Sequence, residues 1–211
     1  MTQRLDRIGP LAGVLAALLG IAGFGTARPG PGPTSQGSEV ISFYTKHASG
    51  QRIADTLLML SGACLVVFAA YVCRHLKVVT EAEPFASAAL VGAGVAAAGM
   101  GIYFGADYTL ASDPGNLAPS AAQALNMLGL KLFFAASAGV LVFGVTVGIA
   151  ILRSGRLPKW LGMAAVLIGA VAATPLTLAA LFALLVWSAI TGAILTRRSK
   201  VEVGAPGATT F

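Results

Sequence analysis

Long apolar runs fill this chain, and the polar intervals between them are short. Ile8–Gly25 makes 18 residues of apolar sequence, Ser120–Leu152 makes 33 and Leu161–Thr196 makes 36. A helix crosses the hydrocarbon of a bilayer with about 20 apolar residues, so runs of this length and number constrain the chain to membrane-spanning helices. The charged content agrees: 10% of the 211 residues are Asp, Glu, Lys or Arg, where soluble domains carry about 25%. The expected fold is all-α, a polytopic transmembrane bundle in one domain over residues 1–200.

The runs divide into six spans, at about 8–26, 52–74, 85–106, 120–152, 159–173 and 176–196. The first begins with Pro10 near its start, where a missing N–H is tolerated. Gly25-Thr26-Ala27 has the small-residue pattern of a cleavage site, yet 18 apolar residues exceed the usual signal-peptide core of about 7–15. It is read as a retained span. Residues 28–50 form an outer loop. Its Pro/Gly spacer Arg28–Gly37 leads to Ser38, a candidate cap, and to a short amphipathic surface helix with Val40, Phe43, Tyr44 and His47 on one face, ended by Gly50. The fourth run is too long for a straight span. Its first part, with Gln123, Asn126 and Lys131, should project above the bilayer or line a wet pocket. One helix over the last run would be about 54 Å long, nearly twice the hydrocarbon thickness, and Thr174-Pro175 reads as the start of a new helix. Residues 201–211 are expected to be a disordered cytoplasmic tail.

Charge fixes the expected orientation. Arg4, Arg7, Arg74, Lys77, Arg153, Arg156, Lys159, Arg197, Arg198 and Lys200 fall on one side of a six-span arrangement, and Arg28, Lys46, Arg52 and Lys131 on the other. Basic residues concentrate in cytoplasmic loops. The expectation is a multi-pass protein of the cell membrane with both termini cytoplasmic. The same distribution accounts for the net charge of +6 without a basic stripe, so nucleic acid is not a partner. Cys64 and Cys73 lie nine residues apart on one span, on opposite faces and about 13 Å apart along the axis. That separation excludes a disulfide.

Two sets of residues stand out. Gly94, Ala98, Gly101 and Gly105 form a small-residue stripe on the third span, of the kind that lets helices approach closely. An outer-face polar cluster gathers Glu39, His47, Arg52, Asp55, Asp107 and Lys131, with Asp113 in a nearby turn. Lys131 runs into Leu132, Phe133 and Phe134, where an unpaired charge is costly. It is expected either to pair with Asp55 or Asp107 or to snorkel outward to the headgroups. Carboxylates and imidazole suit divalent ions, but the spacing of Glu39, His47, Asp55 and Asp107 is diagnostic of none, and no metal site is assigned. H-E-x-x-H, CxxC and G-x-S-x-G are missing, Ser61 has no histidine at its depth, and no Walker-type loop is present. No catalytic residue and no cofactor are assigned, and an enzyme is the least favoured class.

The segment Glu39-Val40-Ile41-Ser42-Phe43-Tyr44-Thr45-Lys46-His47, of the form E-V-x-x-x-Y-x-x-H after the first span, resembles a group of uncharacterised bacterial six-span integral membrane proteins. Leu157-Pro158-Lys159-Trp160-Leu161-Gly162 before the fifth span is similar as well. The resemblance implies a topology and no activity. The favoured function is a structural or accessory membrane component, partnered by the lipid bilayer and by a second copy or another membrane protein. The alternative is a binder or transporter of a small or lipid-like molecule through the outer polar cluster.

Overall fold

The computed structural model describes the backbone of residues 2–203 and the side chains of residues 8–197. Six α-helices follow one another: α1 Thr2–Thr26, α2 Gly37–Leu76, α3 Glu83–Ser112, α4 Pro119–Ser154, α5 Lys159–Ala172 and α6 Thr177–Val203, with one 3₁₀ turn at Pro114–Asn116. No strand occurs among the described residues. Each helix packs on its predecessor and α6 closes against α1, while α2 also reaches α4. Five of the helices are long and apolar enough to cross a membrane, and α5 is a shorter apolar helix. Of the tail expected at 201–211, residues 204–211 lie outside the described residues.

The bundle has two unlike ends. The α2–α3 and α4–α5 connections carry Arg74, Lys77, Arg153, Arg156 and Lys159, and define a basic end. There Gly155 closes α4 in the left-handed conformation, at φ 62°, which costs a glycine little. The α1–α2, α3–α4 and α5–α6 connections lie at the far end. α2, α3 and α4 have 40, 30 and 36 residues and stand above the far ends of α1 and α6, packed around Val40, Tyr44, Leu110, Ala111 and Ala122.

The main core lies between the basic end and mid-bundle, centred on Trp187. Its ring meets Phe68 of α2 and Phe143 of α4 edge-on, with centroids 6.1 and 6.0 Å away. Its Nε1–H donates to the Leu161 carbonyl of α5 at 3.0 Å. One indole thus ties four helices together, with its single polar group satisfied.

Several expectations are corrected. The surface helix and the second span are one continuous helix, α2, and Gly50 ends nothing. The start of α2 is capped by Gln36 rather than Ser38, with the Glu39 carboxylate accepting the Gln36 N–H at 3.3 Å. Pro10 lies inside α1, which starts at Thr2, and not in its first turn. Asp107 sits within α3, which runs on to Ser112. The break in the last run is present: α5 stops at Ala172 and α6 starts at Thr177. Thr174 Oγ1 donates to the Val171 carbonyl at 2.7 Å, and accepts the Leu176 N–H at 3.2 Å.

Within the chain, among the described residues, the small-residue stripe of α3 meets no other helix. A Cβ built at Gly94, Gly101 or Gly105 would meet nothing within 4 Å, and Ala98 is exposed. The opposite face of α3 does the packing: a Cβ at Gly92 would lie 2.5 Å from the Phe143 backbone nitrogen, and one at Gly99 2.5 Å from that of Ala136. Gly139 of α4 meets Ala96 in the same seam.

Candidate functional site: an amphipathic cavity at the far end

Where the long helices rise past α1 and α6, they leave a cavity of about 480 Å³. The phase of each helix decides what faces it. On α2, Tyr44, Gln51, Asp55 and Leu58 recur at seven, four and three residues, one continuous stripe in a 3.6-residue helix. Tyr103, Phe104 and Asp107 of α3 and Asn126, Gly129, Leu130 and Phe133 of α4 complete the long-helix walls. Phe24 of α1 and Leu178 and Phe182 of α6 lie on the side nearer the core. A second apolar void of about 60 Å³ continues toward mid-bundle past Phe24, Leu58 and Phe104.

The polar wall is a hydrogen-bonded array. The Tyr44 hydroxyl donates to Asp107 Oδ1, and Gln51 Nε2 donates to Asp107 Oδ2 at 3.3 Å. Asp55 lies one turn below Gln51 and its carboxyl reaches that of Asp107. Asp55 is only 2% exposed, and its Oδ2 has no hydrogen-bond partner among the described residues. A buried carboxyl oxygen left in that state costs free energy unless something supplies a proton donor.

The Ala27–Gln36 segment crosses the cavity and is pinned on both sides. Gln51 Oε1 accepts the Arg28 backbone N–H at 2.8 Å, and Asn126 Nδ2 donates to the Gly32 carbonyl at 3.1 Å. Proline and glycine suit it for this, because a chain with so little helix propensity can present bare carbonyls to a side-chain amide.

The structure brings together only part of the expected cluster. Asp55 and Asp107 meet. Glu39 is exposed and engaged in the cap of α2, and Arg52 is exposed on the outside of that helix. His47 is half-buried against the Phe43 ring, centroids 4.9 Å apart. Lys131 is exposed and makes no ion pair among the described residues, so the expected pairing with Asp55 or Asp107 is not made. It stands about 150° around α4 from the stripe Asn126, Gly129, Leu130 and Phe133. The carboxyls instead take their partners from Tyr44, Gln51 and each other. Among the described residues no three of His, Cys, Asp and Glu come together in a way that could hold a metal ion. Gln51 and Tyr103 were not singled out by sequence. The signal for Gln51 lies in its register with Tyr44 and Asp55, readable only along an unbroken helix.

No protein-family profile, no curated protein and no solved structure matches the chain.

Proposed function

We propose that this chain lies in the cell membrane with its basic end cytoplasmic, crosses it six times, and binds or carries a small amphipathic molecule in the far-end cavity. The observation that carries the reading is the lining: phenylalanine and leucine on one side, a buried hydrogen-bonded carboxyl pair on the other. A volume of about 480 Å³ falls within the range of sites that take small organic ligands, and apolar walls with a few placed polar groups are their usual composition. The polar groups lie at the level where α1 ends, so a ligand would hold its head near the outer interface and its apolar part toward mid-bundle. The short likeness to six-span bacterial membrane proteins around Glu39–His47 is consistent with this placement.

A second reading, a structural or accessory component, is favoured by the open stripe of α3. Gly94, Gly101 and Gly105 leave room on the bundle surface for a helix of another chain or a second copy.

One experiment weighs both: a high-resolution map of the protein extracted from its native membrane, alongside a Gly129→Trp variant. Gly129 borders the cavity, and a Cβ there has only ordinary contacts, the nearest 3.5 Å away at Ala106. The expected result is elongated density between the carboxyl pair and Phe24 in the wild type, lost in the variant. A solvent-filled cavity with a second chain seated on the α3 stripe would replace the first reading by the second.

A further inference from the structure

The far-end cavity has a roof, four closed seams and one open side. The roof is the Ala27–Gln36 segment. Its Arg28, Pro29, Gly30 and Pro31 border the cavity, while Gln51 and Asn126 hold it from either side. Between α1 and α2, Gly23 sits against Leu58 and the Ala54 carbonyl, with no room for a Cβ. Between α2 and α3, Tyr44 and Gln51 both donate to Asp107. Tyr103 and Phe133 meet edge-on across the α3–α4 seam, with centroids 5.5 Å apart. Phe24 and Phe182 meet across the α1–α6 seam at 4.7 Å.

The fifth seam, between α4 and α6, is different. α5 packs on both of these helices and lies between them. It stops at Ala172, and none of its residues borders the cavity. Beyond that point only side chains stand between the cavity and the outside of the bundle. Leu178 and Phe182 of α6 line the cavity and are nonetheless 51% and 38% exposed. Leu130 and Phe133 of α4 also line it and are half-buried. An opening framed by four apolar side chains suits hydrocarbon, since apolar surface is driven out of water. The smaller void then continues the cavity inward past Phe24, Leu58 and Phe104. Its one hydroxyl, that of Ser61, is already donated to the Ala16 carbonyl at 2.7 Å. From Leu58 to Ala69 its α2 wall extends over about 16 Å of helix rise, so the void is narrow, apolar and elongated. That is the form of an alkyl chain.

We propose that the ligand is a membrane lipid, taken from the outer leaflet through the window between α4 and α6, with one alkyl chain running into the void past Leu58 and Phe104. Its head lies beneath the crossing segment, which closes the cavity toward water. The proposal rests on the readings that the bundle spans the bilayer and that this cavity holds a ligand.

The test places the full chain in nanodiscs and supplies, from donor vesicles, a phosphatidylcholine with a diazirine at the end of one acyl chain. After illumination the labelled residues are mapped by mass spectrometry. Leu58 and Phe104 are 5% and 4% exposed, so lipid around the bundle does not reach them. Both are expected to be labelled in the wild type. In Gly129→Trp those labels should be lost, while labels at exposed positions such as Val91 and Met163 stay. Wild-type labelling confined to the exposed positions overturns the proposal without needing any variant to fold, and interior labels that persist in Gly129→Trp overturn it too. The route is read from Gly32→Cys with Asn126→Cys on a cysteine-free background, joined by a short bis-maleimide before the lipid is supplied. Interior labelling should persist with the segment so locked, and its loss relative to the unjoined variant would overturn entry from the side. A diazirine-bearing hexanol added from water separates the two readings. If the alcohol labels Leu58 and Phe104 and the lipid does not, the cavity reading stands and the lipid inference alone falls. If neither probe labels them, the cavity reading falls as well.

Discussion

A single methylene's worth of space separates glycines that hold this bundle together from glycines that do not. Gly99 and Gly101 are two residues apart on α3 and lie on opposite faces. A Cβ at Gly99 collides with the backbone of α4, and one at Gly101 meets nothing within 4 Å. Overpacking a tight contact costs about 1–3 kcal/mol. Gly99→Leu should therefore lower the detergent melting temperature clearly, and Gly101→Leu should leave it where it is. Equal losses in the two variants would mean that the open face is also packed, by a second chain. The sequence could point to a small-residue stripe but not say which one packs within the chain. Gly92, Ala96 and Gly99 form a seam on the opposite face of the same helix, and nothing within α3 says which face α4 takes. The same ambiguity of phase left Lys131 open between pairing and snorkelling, and its exposed position on α4 favours the second.

At the scale of the element, α2 is the decisive case. Its 40 residues pass through Gly50 without a break, and among the described residues only Gly155 has a positive φ. Gly50 is then a helix-interior glycine with open space at its Cβ position. Alanine in that setting is favoured by about 1 kcal/mol. Gly50→Ala should raise thermal stability slightly, whereas a helix that ended there would be weakened by the same change. A fall in melting temperature would sink the continuous helix, and with it the alignment of Tyr44 with Asp55. This is also why the site was only half legible in the sequence. Asp55 and Asp107 declare themselves as charges at the edges of apolar runs. Tyr44 and Gln51 join them only if the helix continues, and a glycine near a polar stretch argues for a stop. The division of the last run was legible, because Thr174-Pro175 interrupts a run longer than any single span requires, and α5 and α6 part at that point.

For the whole molecule, the arrangement makes orientation the most direct measurement. With the basic end cytoplasmic as proposed, a cysteine at position 200 on a cysteine-free background should resist a membrane-impermeant maleimide in intact cells, and one at Ser35 should react. Labelling at position 200 from outside would invert or break the six-crossing topology. The helix that most shapes the surrounding bilayer in such an arrangement is the shortest. α5 has 14 residues, about 21 Å of rise, against hydrocarbon about 30 Å thick. Its neighbour α4 is much longer, and α6 starts only five residues on, at Thr177, so no described helix of this pair continues above Ala172. If α5 crosses as proposed, lipid tails would sag into that notch, since a short apolar element is met by local thinning of the bilayer. The dent lies beside Leu178 and Phe182, which also border the cavity. An amphiphile of the outer leaflet would there be drawn below its normal depth, its head already level with the carboxyl pair before it leaves the membrane.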